Sequence, residues 1–231
     1  LKFILPEFVL VAASAAFLLA HSATAEDHHA APGDVELAPI EIELPEAFFG
    51  GVPHGGWSPV REPADFRPRP PFMAPIGTTN VALGKTVTAS VDPIHGQLSQ
   101  VTDGDKDYGR SSLVELPAGL QWVQLDLEQE HKLYAIVVWH SHGRLRVYFD
   151  VIVQVSNDPD FAEGLTTLYN NDYENSSGLG AGEDAEYLEK HEGRLIDAGG
   201  VQARYVRLYT NGNTINALNH YVEVEVHGIP T

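Results

Sequence analysis

Three carboxylates at alternate positions, Asp103, Asp105 and Asp107, surround a turn marked by Asp103-Gly104. That pattern offers surplus negative charge and hard oxygens to a divalent cation such as Ca²⁺, which binds carboxylates and carbonyls together. It equally suits an ordinary acidic turn closed by an Asx hydrogen bond. His140 and His142, ahead of Asp150, suggest metal-assisted or acid–base chemistry, but no third ligand stands at a diagnostic spacing. Asp172 and Glu183 occupy the first and last places of a calcium-loop pattern whose required glycine is Ser177. That motif is rejected, and Asn170 to Glu192 reads as a surface loop with a solvated charge run. No G-x-S-x-G, H-E-x-x-H, phosphate-loop or dinucleotide signature occurs. No pair of carboxylates singles itself out as a glycosidase acid and nucleophile. The chain has no cysteine, which removes disulfides, thiol catalysis and Cys-based zinc sites. The expectation is a binder and not an enzyme.

Short period-2 runs must position these residues. Gln121 to Leu127 alternates, Leu133 to Trp139 is nearly continuous and apolar, and Tyr148 to Val155 puts Phe149, Val151, Val153 and Val155 on one side. Leu165 to Tyr169, Arg204 to Tyr209 and Tyr221 to Val226 continue the pattern, with turns at Asn157-Asp158-Pro159, Gly199-Gly200 and Asn211-Gly212. Without a helical stripe, the class is all-β, sandwich or barrel. Trp139, closing an apolar strand, is expected in the core.

Residues 26–78 differ. Ten of the fifteen prolines fall between Pro32 and Pro75, a density that excludes regular helix or sheet. Phe48, Phe49, Trp57, Phe66, Phe72 and Met73 make the segment more than a spacer, so it is expected as an extended arm along a surface, its own domain's or a partner's. Ile40 to Leu44 alternates and could add as an edge strand. His28-His29 offers a metal a site only at a solvated terminus. Ahead of the arm, the apolar run Phe8 to Ala20 followed by Ala23-Thr24-Ala25 reads as a signal segment over 1–25, too short to span a bilayer. The expected location is secreted or periplasmic, with no membrane span after cleavage. Lys and Arg number 14 against 32 Asp and Glu, a net charge of −18, which excludes nucleic acid as partner and suits cations, neutral sugars or a basic protein.

The order of the runs carries a resemblance. Asn80-Val81-Ala82-Leu83-Gly84-Lys85, Val101-Thr102-Asp103-Gly104-Asp105, Gln121 to Leu127, Val153 to Asp158, Ala203 to Tyr209 and Val222 to Gly228 are similar to blocks of the discoidin, or coagulation factor 5/8 type C, family. The resemblance covers residues 79–231 and implies a galactose-binding-like jelly-roll β-sandwich. It also implies one structural Ca²⁺ held by the carbonyls of Gln100, Asp105, Tyr108 and Val222 and the carboxylates of Asp103 and Glu223. Tyr108 departs from the family's usual Thr and can offer only its carbonyl. In sandwiches of this kind loops at one end bind ligand, and His142, Arg144, Asn213, His95 and His220 are the candidates here, since neutral sugars need fixed donors, acceptors and a stacking ring.

Two readings follow. One is an exported, calcium-stabilised carbohydrate-binding or adhesive module for glycans. The other is a structural subunit whose aromatic arm docks on an exported protein, in which case deleting 26–78 would spare sugar binding.

Overall fold

The computed structural model describes residues 35–48 and 59–231. The signal segment, His28-His29, Phe49 and Trp57 lie outside the described residues. Among the described residues there are eleven strands: β1 (Leu37–Pro39), β2 (Met73–Pro75), β3 (Thr79–Asn80), β4 (Thr86–Ala89), β5 (Val114–Leu116), β6 (Gln121–Trp139), β7 (Ile152–Ser156), β8 (Thr166–Asn170), β9 (Arg194–Thr210), β10 (Asn219–Tyr221) and β11 (Glu223–Pro230). The class is all-β, as the period-2 pattern predicts.

Two long strands organise the sandwich. β6 and β9 pair antiparallel along most of their length, with register shifts between Asp126 and His131 and between Leu133 and Ala135. Glu128 adopts φ 70° at the first of these, which turns the pair sharply. On one side of the bend the pair is flanked by β4 and by β7–β8. On the other it is flanked by β11 and β3. These two layers close over a common core: Leu125, Val153, Val206 and Leu208 from the first meet Leu133, Ile136, Val224 and Val226 from the second.

Leu133 to Trp139 is continuously apolar because both faces are covered. Ile136 and Val138 point into the core, while Val137 and Trp139 form a second cluster with Val222 on the outer face. Ile42 of the arm packs on that second cluster. Trp139 is fully buried and its indole donates to the His191 carbonyl at 2.8 Å. Phe149 corrects the expected pattern: β7 starts only at Ile152, after Asp150 at φ 49°, and Phe149 stays exposed.

The described parts of the arm lie along the chain's own domain. The strand within it is Leu37–Pro39, paired with Met73–Pro75 in a separate ribbon; Ile40 to Leu44 adds to no sheet. Farther on, Arg61 bridges Glu186 in parallel register, and the Arg194 guanidinium donates to both oxygens of Glu62 at 2.9 and 3.0 Å. The Arg69 amide donates to Glu192 and its guanidinium to the Gly193 carbonyl. Deleting residues 26–78 would strip Ile42 from the outer-face cluster of Val137, Trp139 and Val222.

Arg194 also lies over the rings of Tyr169 and Tyr187, at 5.2 and 4.8 Å. Its pair with the half-exposed Glu62 is worth little alone, so packing dominates. Arg194→Ala is expected to cost about 1–2 kcal/mol. Urea unfolding measures that loss, and faster proteolysis between Glu62 and Arg69 would report release of the arm.

Candidate functional site

The loops after β6, before β9 and before β11 gather where β6 ends, since Trp139 pairs with Glu223 and Val138 with Arg194. The acidic loop Asp103 to Tyr108 joins them through the carboxylate of Glu223. Gly104, at φ 88°, brings its amide to 3.1 Å from Glu223 Oε2. Asp103 Oδ1 accepts the Asp105 amide, and Asp105 accepts the Asp107 amide and the Ser112 hydroxyl. The Asx-turn reading is thus correct for the loop's backbone.

Glu223 needs more than that turn. Its side chain is fully buried, and Oε1 has no hydrogen-bond partner. Burial pushes its carboxyl up to about 8, aided by the like charges of Glu225 and Asp103 and opposed by the Gly104 amide and Lys106. Lys106 is engaged elsewhere, its ammonium 2.7 Å from Glu225. A donorless carboxylate oxygen beside an acidic loop fits a hard cation. Among the described residues no three His, Asp or Glu side chains converge as a metal group.

Of the candidate ligand residues, three are interior groups. His142 is buried, its Nε2 is 3.0 Å from the Lys106 carbonyl, its Nδ1 has no partner, and burial lowers its pKa. His220 lies between the Tyr148 hydroxyl at 2.7 Å and Glu115 at 3.2 Å, and burial with nearby Arg146 pushes it down to about 3. Asn213 builds its own loop: its carbonyl oxygen accepts the Ile215 and Asn216 amides, and its amide donates to Asn216 and the Leu218 carbonyl. His95 is half-buried with Nε2 at 2.9 Å from the Arg110 carbonyl. Arg144 alone is exposed without a hydrogen bond among the described residues. Gln100, expected to lend its carbonyl to the metal, uses its side chain to box the turn, accepting from the Gln97 amide and donating to the Ser111 carbonyl.

Two features were not anticipated. His140 and Glu189, both buried, form a 2.6 Å hydrogen bond, and His140 stacks on Tyr148 with centroids 4.5 Å apart. The 170–192 loop is accordingly not all solvated: Asp172, Glu189 and Glu192 are buried, and Asp172 caps the Ser176 and Ser177 amides. The second feature is an aromatic stack. Tyr108, 39% exposed, lies parallel to Phe48 of the arm, 42% exposed, at 4.5 Å and 16°. The Tyr108 ring also crosses close to Gly143, where an added Cβ would come within 3.1 Å of it, and Arg144 follows directly. Only the departure at Tyr108 and the surplus of arm aromatics hinted at this pair.

No family model matches the chain, and no curated protein matches it. Solved structures do. A family 89 glycoside hydrolase from Clostridium perfringens, in complex with 2-acetamido-1,2-dideoxynojirmycin, superposes with a TM-score of 0.50 at 19% identity. The match covers 66% of this chain and 15% of that one, so this chain spans a small part of that enzyme's length. A Streptococcus pneumoniae fucose binding module matches at TM-score 0.43 and 18% identity, over 64% of this chain and 96% of the other. The CBM32 of AlyQ, in complex with 4,5-unsaturated mannuronic acid, matches at 0.44 and 20%, over 61% and 92%. The fold is the discoidin-like, galactose-binding-like β-sandwich.

Proposed function

We propose that the chain is an exported, non-catalytic carbohydrate-binding module whose loop-bearing end is tied together by Ca²⁺. The observation that carries this reading is the exposed Tyr108–Phe48 stack, which passes close to Gly143, the neighbour in sequence of the exposed Arg144. A sugar ring presents a CH face that packs on an aromatic plane and hydroxyls that accept from a fixed fork of donors. The titratable groups beneath that surface, His140, Glu189, Tyr148 and His220, are closed off from solvent and suit rigidity better than turnover. Asp103 and Glu223 would hold the cation, with carbonyls from Gln100, Asp105, Tyr108 and Val222. Bound there, the ion would neutralise the acidic loop and hold the Tyr108 backbone, and with it the ring. Export rests on the apolar run and the small-residue site within 1–25. The structural neighbours include modules named for, or in complex with, saccharides, the ligand class proposed.

The test is a glycan array probed with the chain in Ca²⁺ and in EDTA. Binding to a defined sugar is expected, and Tyr108→Ala, which keeps the backbone carbonyl, should weaken it at least about tenfold, about 1.4 kcal/mol. A folded, Ca²⁺-responsive protein that binds nothing would instead favour the docking subunit. That second reading is supported by Leu37 and Met73, exposed on the β1–β2 ribbon.

A further inference from the structure

The residues that precede the two stacked rings line a cleft that the arm and the sandwich build together. Arm residues Glu43 to Glu46 form one wall and Gly104 to Asp107 the other, enclosing about 370 Å³. That volume lies within the range of small-molecule sites. Phe48 and Tyr108 stand just beyond its lining, Phe48 two residues after Glu46 and Tyr108 directly after Asp107.

The charges around this cleft are unbalanced. Glu43, Glu46 and Asp107 are exposed, and no carboxylate oxygen of the three has a hydrogen bond or ion pair among the described residues. Asp105 is already used by the Asp107 amide and the Ser112 hydroxyl. The lining cation, Lys106, is turned inward, 9% exposed, paired with Glu225 and lying 5.3 Å from the Trp139 ring centroid. Carboxylates alone would simply be solvated. Beside an exposed aromatic plane and inside a cleft, they select which ring can lie there.

We propose that this cleft binds a basic saccharide, one whose sugar units carry protonated amines, with the open face of the Phe48–Tyr108 stack beneath the sugar's CH face and Glu43, Glu46 and Asp107 around its ammonium groups. The inference rests on the carbohydrate-binding reading and narrows it to one class. A uronate would meet like charge in the cleft and across a chain of net charge −18. A neutral sugar would gain the stack but leave the three carboxylates unanswered. The arm is then half of the binding site, with Phe48 as its contact residue.

The experiment is calorimetric titration of the full chain, held in saturating Ca²⁺, with a glucosamine oligomer, its N-acetylated counterpart and an oligouronate. The glucosamine oligomer should bind at least tenfold more tightly than the N-acetylated one, with the ratio shrinking toward unity near 0.5 M salt, where the Debye length falls to about 4 Å. Glu46→Gln with Asp107→Asn should remove most of that preference while leaving the melting temperature in place. Phe48→Ala should weaken both amino-sugar ligands about tenfold. Equal binding of the free and acetylated oligomers, or an unchanged preference in the double variant, would overturn the basic-saccharide proposal while the carbohydrate-binding reading stood. Tighter uronate binding would overturn it in the same way. No binding of any saccharide by the folded, Ca²⁺-loaded chain would remove both.

Discussion

Glu223→Gln is expected to raise the melting temperature in EDTA and to abolish the rise that Ca²⁺ gives the native chain. Both halves come from the same atom. Glu223 is fully buried, one oxygen takes the Gly104 amide, and the other has no donor among the described residues. Its carboxyl, pushed from 4.5 up to about 8, must hold a proton at neutral pH that the unfolded chain releases. A folded-state pKa above the unfolded one gives stability that is complete below pH 4.5 and lost as pH rises through 8. At pH 7 that penalty is at most about 3 kcal/mol, and an amide avoids it. For a domain of this size the gain amounts to roughly 5–10 °C, since 1 kcal/mol shifts melting by about 2–4 °C. In Ca²⁺ the ranking reverses, because the ion binds the ionised carboxylate and an amide oxygen is a poorer ligand. Scanning calorimetry of both proteins in Ca²⁺ and in EDTA decides the matter. If the variant melts lower than native in EDTA, Glu223 is not an orphaned charge, and the case for the cation there fails.

The readability of the chain divides along sequence distance. Leu133 to Trp139 announces a central strand, and the acidic loop announces cation chemistry, because both are local patterns. The continuity of β6 is not local. Glu128-Gln129-Glu130-His131-Lys132 has the composition of a turn, yet the strand runs through it, bending at Glu128 while His131, Lys132 and Leu133 pair with β9. Cross-strand pairing overrode local preference there. The histidines show the same limit. His142 and His220 are candidates as donors and acceptors on the loops at one end of the sandwich, but their partners lie 36, 72 and 105 residues away. Nothing within a few positions of either histidine foretells its burial. Asn213 is the opposite case: its turn is local, and that same turn consumes the hydrogen-bonding capacity a sugar would need.

The buried His140–Glu189 pair yields the second large effect. Glu189→Ala is expected to destabilise the fold by about 3–5 kcal/mol, whereas His140→Leu with Glu189→Met should return to within about 1 kcal/mol of native. The asymmetry arises because deleting one partner strands the other in a dry interior, while apolar replacements of similar volume leave only the Tyr187 hydroxyl, 3.5 Å from His140 Nδ1, to be satisfied. The pair is especially exposed to this logic, since beyond their mutual 2.6 Å bond neither His140 Nε2 nor Glu189 Oε2 has a partner. Losing the imidazole stack on Tyr148 limits the recovery by roughly 0.5–1 kcal/mol. Urea denaturation of the native chain, the two single variants and the double variant completes the cycle. Coupling of several kcal/mol locates the interaction in the pair; single costs that simply add would show that each side chain answers to other neighbours. The double variant also separates structure from function. The pair lies beneath the loop carrying Arg144, not on the exposed surface, so a variant that has regained its stability should keep its saccharide binding. Binding lost from a stable double variant would place His140 or Glu189 in the recognition surface itself and reopen the question of turnover.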